Sequence, residues 1–194
     1  MKDTSVNMKN IVLIGMPGAG KSTVGVVLAK RMGMSFMDSD LVIQEQEGKT
    51  LHEIIEEKGT EGFLEVENRV NATISPDNTI IATGGSVIYG KDAMEHLGQI
   101  GNVCYLKLSY ESIDERLGDL AQRGVALKEG QSLMDLYEER TPLYEKYAMQ
   151  NQITNINKNF IHGGQNYEES IISIFRSSTC YHNLCNWICS WIKL

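Results

Sequence analysis

The run Gly15-Met-Pro-Gly-Ala-Gly20-Lys21-Ser22 carries the strongest chemical signal in the sequence. Its glycines let the backbone curl inward, so that several N–H groups converge on one point. A helix starting at Ser22 adds the positive end of its dipole. Such a cradle suits a polyphosphate. Lys21 can reach the β- and γ-phosphates, and the Ser22 hydroxyl can ligate Mg²⁺. Gly15, Gly18, Ala19, Gly20, Lys21, Ser22 and Thr23 are therefore the candidate nucleotide-binding residues; Thr23, taken alone, is an ordinary helix position. The plain alternative is a glycine turn that only caps a helix. The context outweighs it, because a buried strand precedes the loop and a helix follows it.

A second constellation is Asp38-Ser39-Asp40. One carboxylate can hold a water of Mg²⁺ or accept the proton of a reacting hydroxyl, and the other can hydrogen-bond a polyol. The competing reading is structural: Asp40 precedes the apolar Leu41-Val42-Ile43 and could serve as a helix N-cap.

Apolar runs that read as strands are residues 10–15, 34–38, 79–83 and 102–108, with a short one at 152–156. Stretches that read as helices are 22–32, 41–47, 51–58, 61–73, 93–97, 110–117, 131–148 and 167–175, with Pro142 expected to break or kink the 131–148 helix. Buried strands alternating with helices predict an α/β fold, a parallel sheet of about five strands covered on both faces. In such a sheet the loop after strand one and the Asp pair after strand two share one edge, where ligands bind. Residues 118–130 hold three glycines, mixed charge and no period. They are expected to form a mobile lid.

The 194-residue chain is 42% hydrophobic and 22% charged, in the range of one globular domain. Its formal charge of −7 argues against the broad basic surface that nucleic-acid binding needs. No apolar run approaches the ~20 residues of a membrane span. Residues 1–10 lack the apolar core of a secretory signal, so a cytoplasmic protein is expected. Cys104, Cys180, Cys185 and Cys189 fit no common zinc spacing and are expected to remain thiols. The phosphate loop does not name the reaction. The guanine-reading N-K-x-D of GTPases is missing, since the nearest run is Asn157-Lys158-Asn159, and the length suits a small kinase.

Taken together, the motifs resemble the shikimate kinase family. They are GMPGAGKSTVG at 15–25, FMDSD at 36–40, ATGGSV at 82–87 and ERTPLYEKYA at 139–148, spanning roughly residues 9 to 150 in the family's order. The resemblance implies a three-layer P-loop kinase fold, ATP and Mg²⁺ as cofactors, and transfer of the γ-phosphate to a hydroxyl of shikimate. By position it makes Lys21 and Ser22 ligands of phosphate and Mg²⁺. It puts Asp38 beside the metal and the reacting hydroxyl, and Asp40 on the substrate hydroxyls. Gly84 and Gly85 fall where backbone approaches substrate and phosphate. Arg116 matches an arginine lying against adenine, Arg123 a lid arginine closing on the phosphates, and Arg140 an arginine holding the substrate carboxylate. The catalytic set so implied is Lys21, Asp38 and Arg123, with Ser22 and Asp38 at the metal.

Three positions depart from the family pattern. An arginine usually follows the phenylalanine of G-E-x-x-F-R and shares the carboxylate, whereas this chain has Leu64 after Phe63. The third glycine of the triple is Ser86, and the lid segment reads Arg123-Gly-Val-Ala-Leu127. Losing one charge-assisted contact costs about 1.5–3 kcal/mol. Two other functions are compatible with the same residues: a related kinase for another small hydroxy acid or polyol, and a nucleotide-binding regulator without turnover. Asp40 and Arg140 argue against the regulator, which would need neither. The expected organisation is one kinase domain over 1–176, a tail over 177–194 of unknown role, and a monomer with no nucleic-acid or membrane partner. The tail carries an apolar stripe at Tyr181, Leu184, Cys185, Ile188 and Ile192.

Overall fold

The computed structural model describes residues 10–117 and 130–148, and the backbone of 153–155. Arg123, most of the expected lid, the helix expected at 167–175 and the tail with its stripe and three cysteines lie outside the described residues.

Five parallel strands form one sheet in the order β2-β3-β1-β4-β5. They are β1 (Asn10–Ile14), β2 (Ser35–Asp38), β3 (Thr79–Ala82), β4 (Gly101–Lys107) and β5 (Ile153–Asn155). Central β1 and β3 are buried at every position, which is why they read as unbroken apolar runs. β2 lies at the edge and is only partly covered. The helices are α1 (Lys21–Met32), α2 (Ser39–Glu47), α3 (Leu51–Asn71), α4 (Lys91–Ile100), α5 (Tyr110–Leu117) and α6 (Leu133–Ala148). The chain moves one way along the sheet from β1 to β2 and the other way from β3 to β4. Right-handed crossovers therefore put α1 and α4 on opposite faces.

One local expectation holds and three details depart from the sequence reading. The two helices expected at 51–58 and 61–73 are both present, as the two halves of α3, divided by a kink at Gly59 where the backbone leaves helical geometry. There φ is 71° and ψ 177°, a conformation that glycine alone adopts without strain. A capping box of Thr50 and Glu53 starts α3. Helix α4 is longer than its apolar core of 93–97, because polar residues complete its ends. Pro142 does not break α6. The carbonyl it leaves unbonded belongs to Glu138, and both residues are exposed, so water can satisfy it. A short 3₁₀ turn, Val87–Tyr89, follows the glycine pair and has no periodic signal in the sequence.

Helix α6 is fastened to the sheet by side chains. Tyr144 stacks on Tyr105 of β4 with ring centroids 5.0 Å apart, and Lys107 pairs with Glu145 at 2.6 Å. A Ser132–Asp135 capping pair fixes its start. This anchoring sets the position of Arg140, one turn before Tyr144. No described helix is long and apolar enough to cross a membrane.

Candidate active site

The C-terminal ends of β1, β2 and β3 converge on one cavity of about 540 Å³. Strand register does this work: Asp38 pairs with Ala82, and Leu13 with Ala82. Thr83 then clamps β3 to β1 by donating its N–H and its hydroxyl to the Leu13 carbonyl, at 3.2 and 3.0 Å. The loop after β1, the start of α2 and the glycine pair after β3 are thereby held within one cavity wall.

On the phosphate side, Gly20 caps α1 at φ 86°, a left-handed conformation that favours glycine. Lys21 is buried, and its Nζ donates to the carbonyls of Gly15 and Met16 at 2.8 and 3.0 Å. Burial lowers its pKa to about 8, with Asp40 opposing the shift. The Ser22 hydroxyl donates to Asp38 Oδ2 at 2.6 Å. Asp38, not Asp40, caps α2, accepting the Asp40 N–H at 3.1 Å on its other oxygen. The capping role read for Asp40 thus belongs to its neighbour two residues earlier, and Asp40 is released to face the cavity.

Asp40 Oδ1 is out of contact with water and has no hydrogen-bond partner. Burial, with Asp38 nearby, pushes its carboxyl up to about 6. A second acid meets it there. Glu67 of α3 is 1% exposed, its Oε1 is also without a partner, and burial pushes its carboxyl up to about 7. Both oxygens crowd Gly84, where a Cβ would lie 2.2 Å from Glu67 Oε1 and 2.9 Å from Asp40 Oδ1. Asp40 and Glu67 both line the cavity, and buried carboxyl oxygens without partners are costly unless a ligand brings these groups donors. A polyhydroxylated ligand supplies them.

Arg140 projects from α6 and is 2% exposed. Its guanidinium lies over the Tyr89 ring, 5.3 Å from the centroid, and Nε donates to the Tyr89 hydroxyl at 3.3 Å. Tyr144 donates its hydroxyl to the Gly85 carbonyl. Arg116 of α5 donates to the Gly18 carbonyl at 3.3 Å, placing it beside the phosphate loop.

Gly18, Gly20, Lys21, Ser22, Thr23, Asp40, Gly84, Gly85, Arg116 and Arg140 all line the cavity. Gly15 and Ala19 are buried in the loop and do not line it, and Asp38 reaches it through Ser22. Arg123 lies outside the described residues. Sequence reasoning missed Glu67. The signal was an acid on the apolar face of a helix, between Phe63, Val66 and Val70, where a charge is rarely placed without a purpose. Tyr89 was missed too, and it lies in the turn that no pattern announced.

Among the described residues, no cluster of three or more His, Cys, Asp or Glu could hold a metal on its own. The Ser22–Asp38 pair nevertheless suits Mg²⁺, which takes one or two protein oxygens and fills the rest of its shell with water and phosphate.

The family model described as shikimate kinase matches residues 17–174. The shikimate kinase of Thermodesulfovibrio yellowstonii is 37% identical over 142 residues, 72% of this chain and 82% of that one. That of Legionella pneumophila is 38% identical over 146 residues, 74% of this chain and 83% of that one. Among solved structures, the shikimate kinase of Acinetobacter baumannii in complex with shikimate superposes with a TM-score of 0.69 at 33% identity, covering 84% of this chain and 89% of that one. A phosphate loop, a D-x-D after strand two and a buried arginine on α6, arranged around one cavity and matched over most of the chain, place this protein in the shikimate kinase family of ATP-dependent phosphotransferases.

Proposed function

We propose that this chain transfers the γ-phosphoryl group of ATP to a hydroxyl of shikimate. The observation that carries the reading is the cavity itself. One end is a phosphate loop with Lys21 and the Ser22–Asp38 pair, and the other is lined by Asp40, Glu67 and Arg140. A nucleotide binder needs the first end. Only an acceptor bearing several hydroxyls and a carboxylate needs the second.

Each residue has a part in this reading. The loop N–H groups from Gly18 to Ser22 and the Lys21 ammonium hold the phosphates. Lys21 leaves the Gly15 and Met16 carbonyls to do so. Ser22 and Asp38 would hold Mg²⁺, which would supply positive charge to the phosphates. Asp38, bonded to Ser22 behind the cavity wall, would orient the reacting hydroxyl and accept its proton. Asp40 and Glu67 accept hydrogen bonds from the other hydroxyls, with Gly84 leaving room between them. Arg140 takes the carboxylate. Arg116 lies against the nucleotide beside Gly18, and Arg123 adds charge over the phosphates.

The family match running to residue 174 supports one kinase domain to about residue 176 with a separate tail. Small polar ligands and the lack of a spanning helix among the described residues support a cytoplasmic setting.

A second reading has one observation in its favour. Leu64 lines a neighbouring cavity with Arg140, where an arginine would have added a second cation. A related hydroxy acid with weaker demands on charge would suit that wall. Coupled ADP release across a panel of hydroxy acids tests both. Turnover confined to shikimate supports the first, and turnover of another acid with none for shikimate replaces it.

A further inference from the structure

Arg140 lies between two cavities. It lines the main one and also a second, of about 620 Å³, whose walls include Leu64, Tyr89, Gln131, Leu136 and Glu139. A buried arginine with a long side chain can settle in several rotamers, and a carboxylate is bound well only if the guanidinium edge faces it. Tyr89 holds that edge through its ring and its hydroxyl, and the Tyr144 hydroxyl also bonds Arg140. The Tyr89 ring lies beneath the guanidinium, 5.3 Å from ring centroid to Cζ. The Tyr89 oxygen accepts from Nε at 3.3 Å. Its single proton goes to Glu139 Oε1 at 2.8 Å, so the lone pairs are left for the arginine. Glu139 is steadied in turn by Gln131, which donates to its other oxygen at 2.7 Å. With Nε held, the far end of the guanidinium is aimed at the glycine pair: a Cβ on Gly85 would stand 3.2 Å from Nη1.

We propose that Tyr89, oriented by Glu139, is the positioning residue that aims Arg140 into the main cavity and so sets this enzyme's affinity for its acid substrate. The inference rests on the proposed function and deepens it. With leucine at position 64, one arginine holds the carboxylate on this wall, and its direction carries more of the binding than it would in a pair. The ring supplies a cation–π contact and the hydroxyl supplies the angle.

The test is steady-state kinetics with shikimate and ATP on the full chain, comparing wild type with Tyr89→Phe, Tyr89→Leu and Arg140→Ala, with thermal unfolding alongside. Tyr89→Leu is expected to raise KM for shikimate about tenfold, the equivalent of about 1.4 kcal/mol, with KM for ATP and kcat within about twofold. Tyr89→Phe keeps the ring and is expected to recover part of that loss, at about threefold above wild type. A merely structural tyrosine would lower the unfolding temperature and shift both KM values or kcat together. That pattern overturns the proposal, as does an unchanged KM for shikimate in both variants. Tyr89→Phe preserves volume and shape, so it reports even if the leucine variant folds poorly. If Arg140→Ala raises KM while the Tyr89 variants do not, the clamp stands and the positioning role falls. If Arg140→Ala also leaves KM unchanged, the acid is not held at Arg140 and both readings fall.

Discussion

The two ends of the cavity are built from different materials. The phosphate end is mostly backbone: a glycine-rich loop and the first turn of α1, with Lys21 and Ser22 as its few chemical side chains. The acid end is mostly side chains on packed elements: Asp40 from α2, Glu67 from α3, Arg140 from α6 and Tyr89 from the 3₁₀ turn. Backbone donors are present whatever the residue, so the first end constrains sequence mainly through conformation. At the second end each contact depends on one residue, and one substitution can remove it. The family departures follow that division. Ser86 lies at the acid end, buried next to Glu67, whose carboxyl it helps to hold down against the effect of burial, and Leu64 lines the second cavity that Arg140 shares. The described part of the phosphate end carries none.

The largest test of this contrast is Lys21→Ala. The phosphate end should then keep its backbone cradle and lose turnover, by about a thousandfold or more, since removing one preorganised donor to transition-state charge costs about 10²–10³ and Lys21 also carries full charge. ADP release measures the loss, and circular dichroism should show the fold unchanged. Retained turnover would mean that backbone alone suffices at this end.

Next in size is Arg140→Ala. KM for shikimate should rise about 10- to 100-fold, as expected from about 1.5–3 kcal/mol for a charged hydrogen bond, with KM for ATP little changed. A parallel rise in both would mean that the two ends are not separable.

Glu67→Gln probes the strain stored at the acid end. Burial raises the folded pKa of Glu67 to about 7, above its ordinary 4.5, so the folded protein binds the extra proton between those values. Wild-type stability should therefore fall as pH rises from about 4.5 to 7, and the penalty stays above that. The glutamine variant should be more stable at pH 8 by about 1–3 kcal/mol, with the gap closing as pH drops toward 4.5. Urea unfolding at pH 8 and pH 5 measures it. An equal gap at both values would show that the acid is not held in this way.

The smallest expected effect is a gain. Leu64→Arg should lower KM for shikimate by up to about tenfold, short of the full 3 kcal/mol bound for one charged contact because the new side chain must be ordered. No gain, with Arg140→Ala still harmful, would show that one arginine already saturates the carboxylate. Lys58 lines the same second cavity and is paired with Glu47 at 2.9 Å, so a Lys58→Gln control separates its contribution.

The sequence by itself determined a great deal here. Contiguous residues carry strand periodicity, the strand–loop–helix context of the phosphate loop, and the D-x-D after β2, because their chemistry is local. An apolar run flanked by glycine reads as buried whatever lies elsewhere, so the five strands and their parallel class were legible. Single residues within elements were less so. Gly59 was read as dividing two helices and does so, and packing of Phe63, Val66 and Val70 holds the second half in place. Pro142 was read as breaking or kinking α6; the helix runs through it unbroken, because its side of α6 faces water and a helix anchored by Tyr144 and Glu145 tolerates one lost bond. At the acid end the family resemblance placed Asp40, Gly84, Gly85 and Arg140, and tertiary structure alone added Glu67 and Tyr89. Glu67 and Arg140 are 73 positions apart, and Tyr89 lies 51 from Arg140. Their carboxyl, guanidinium and ring acquire a shared role only when α3, α6 and the 3₁₀ turn pack around Gly84 and Gly85. The raised pKa of Asp40 and Glu67 comes from that packing, since burial is a property of all the surrounding chain and of no short stretch of it.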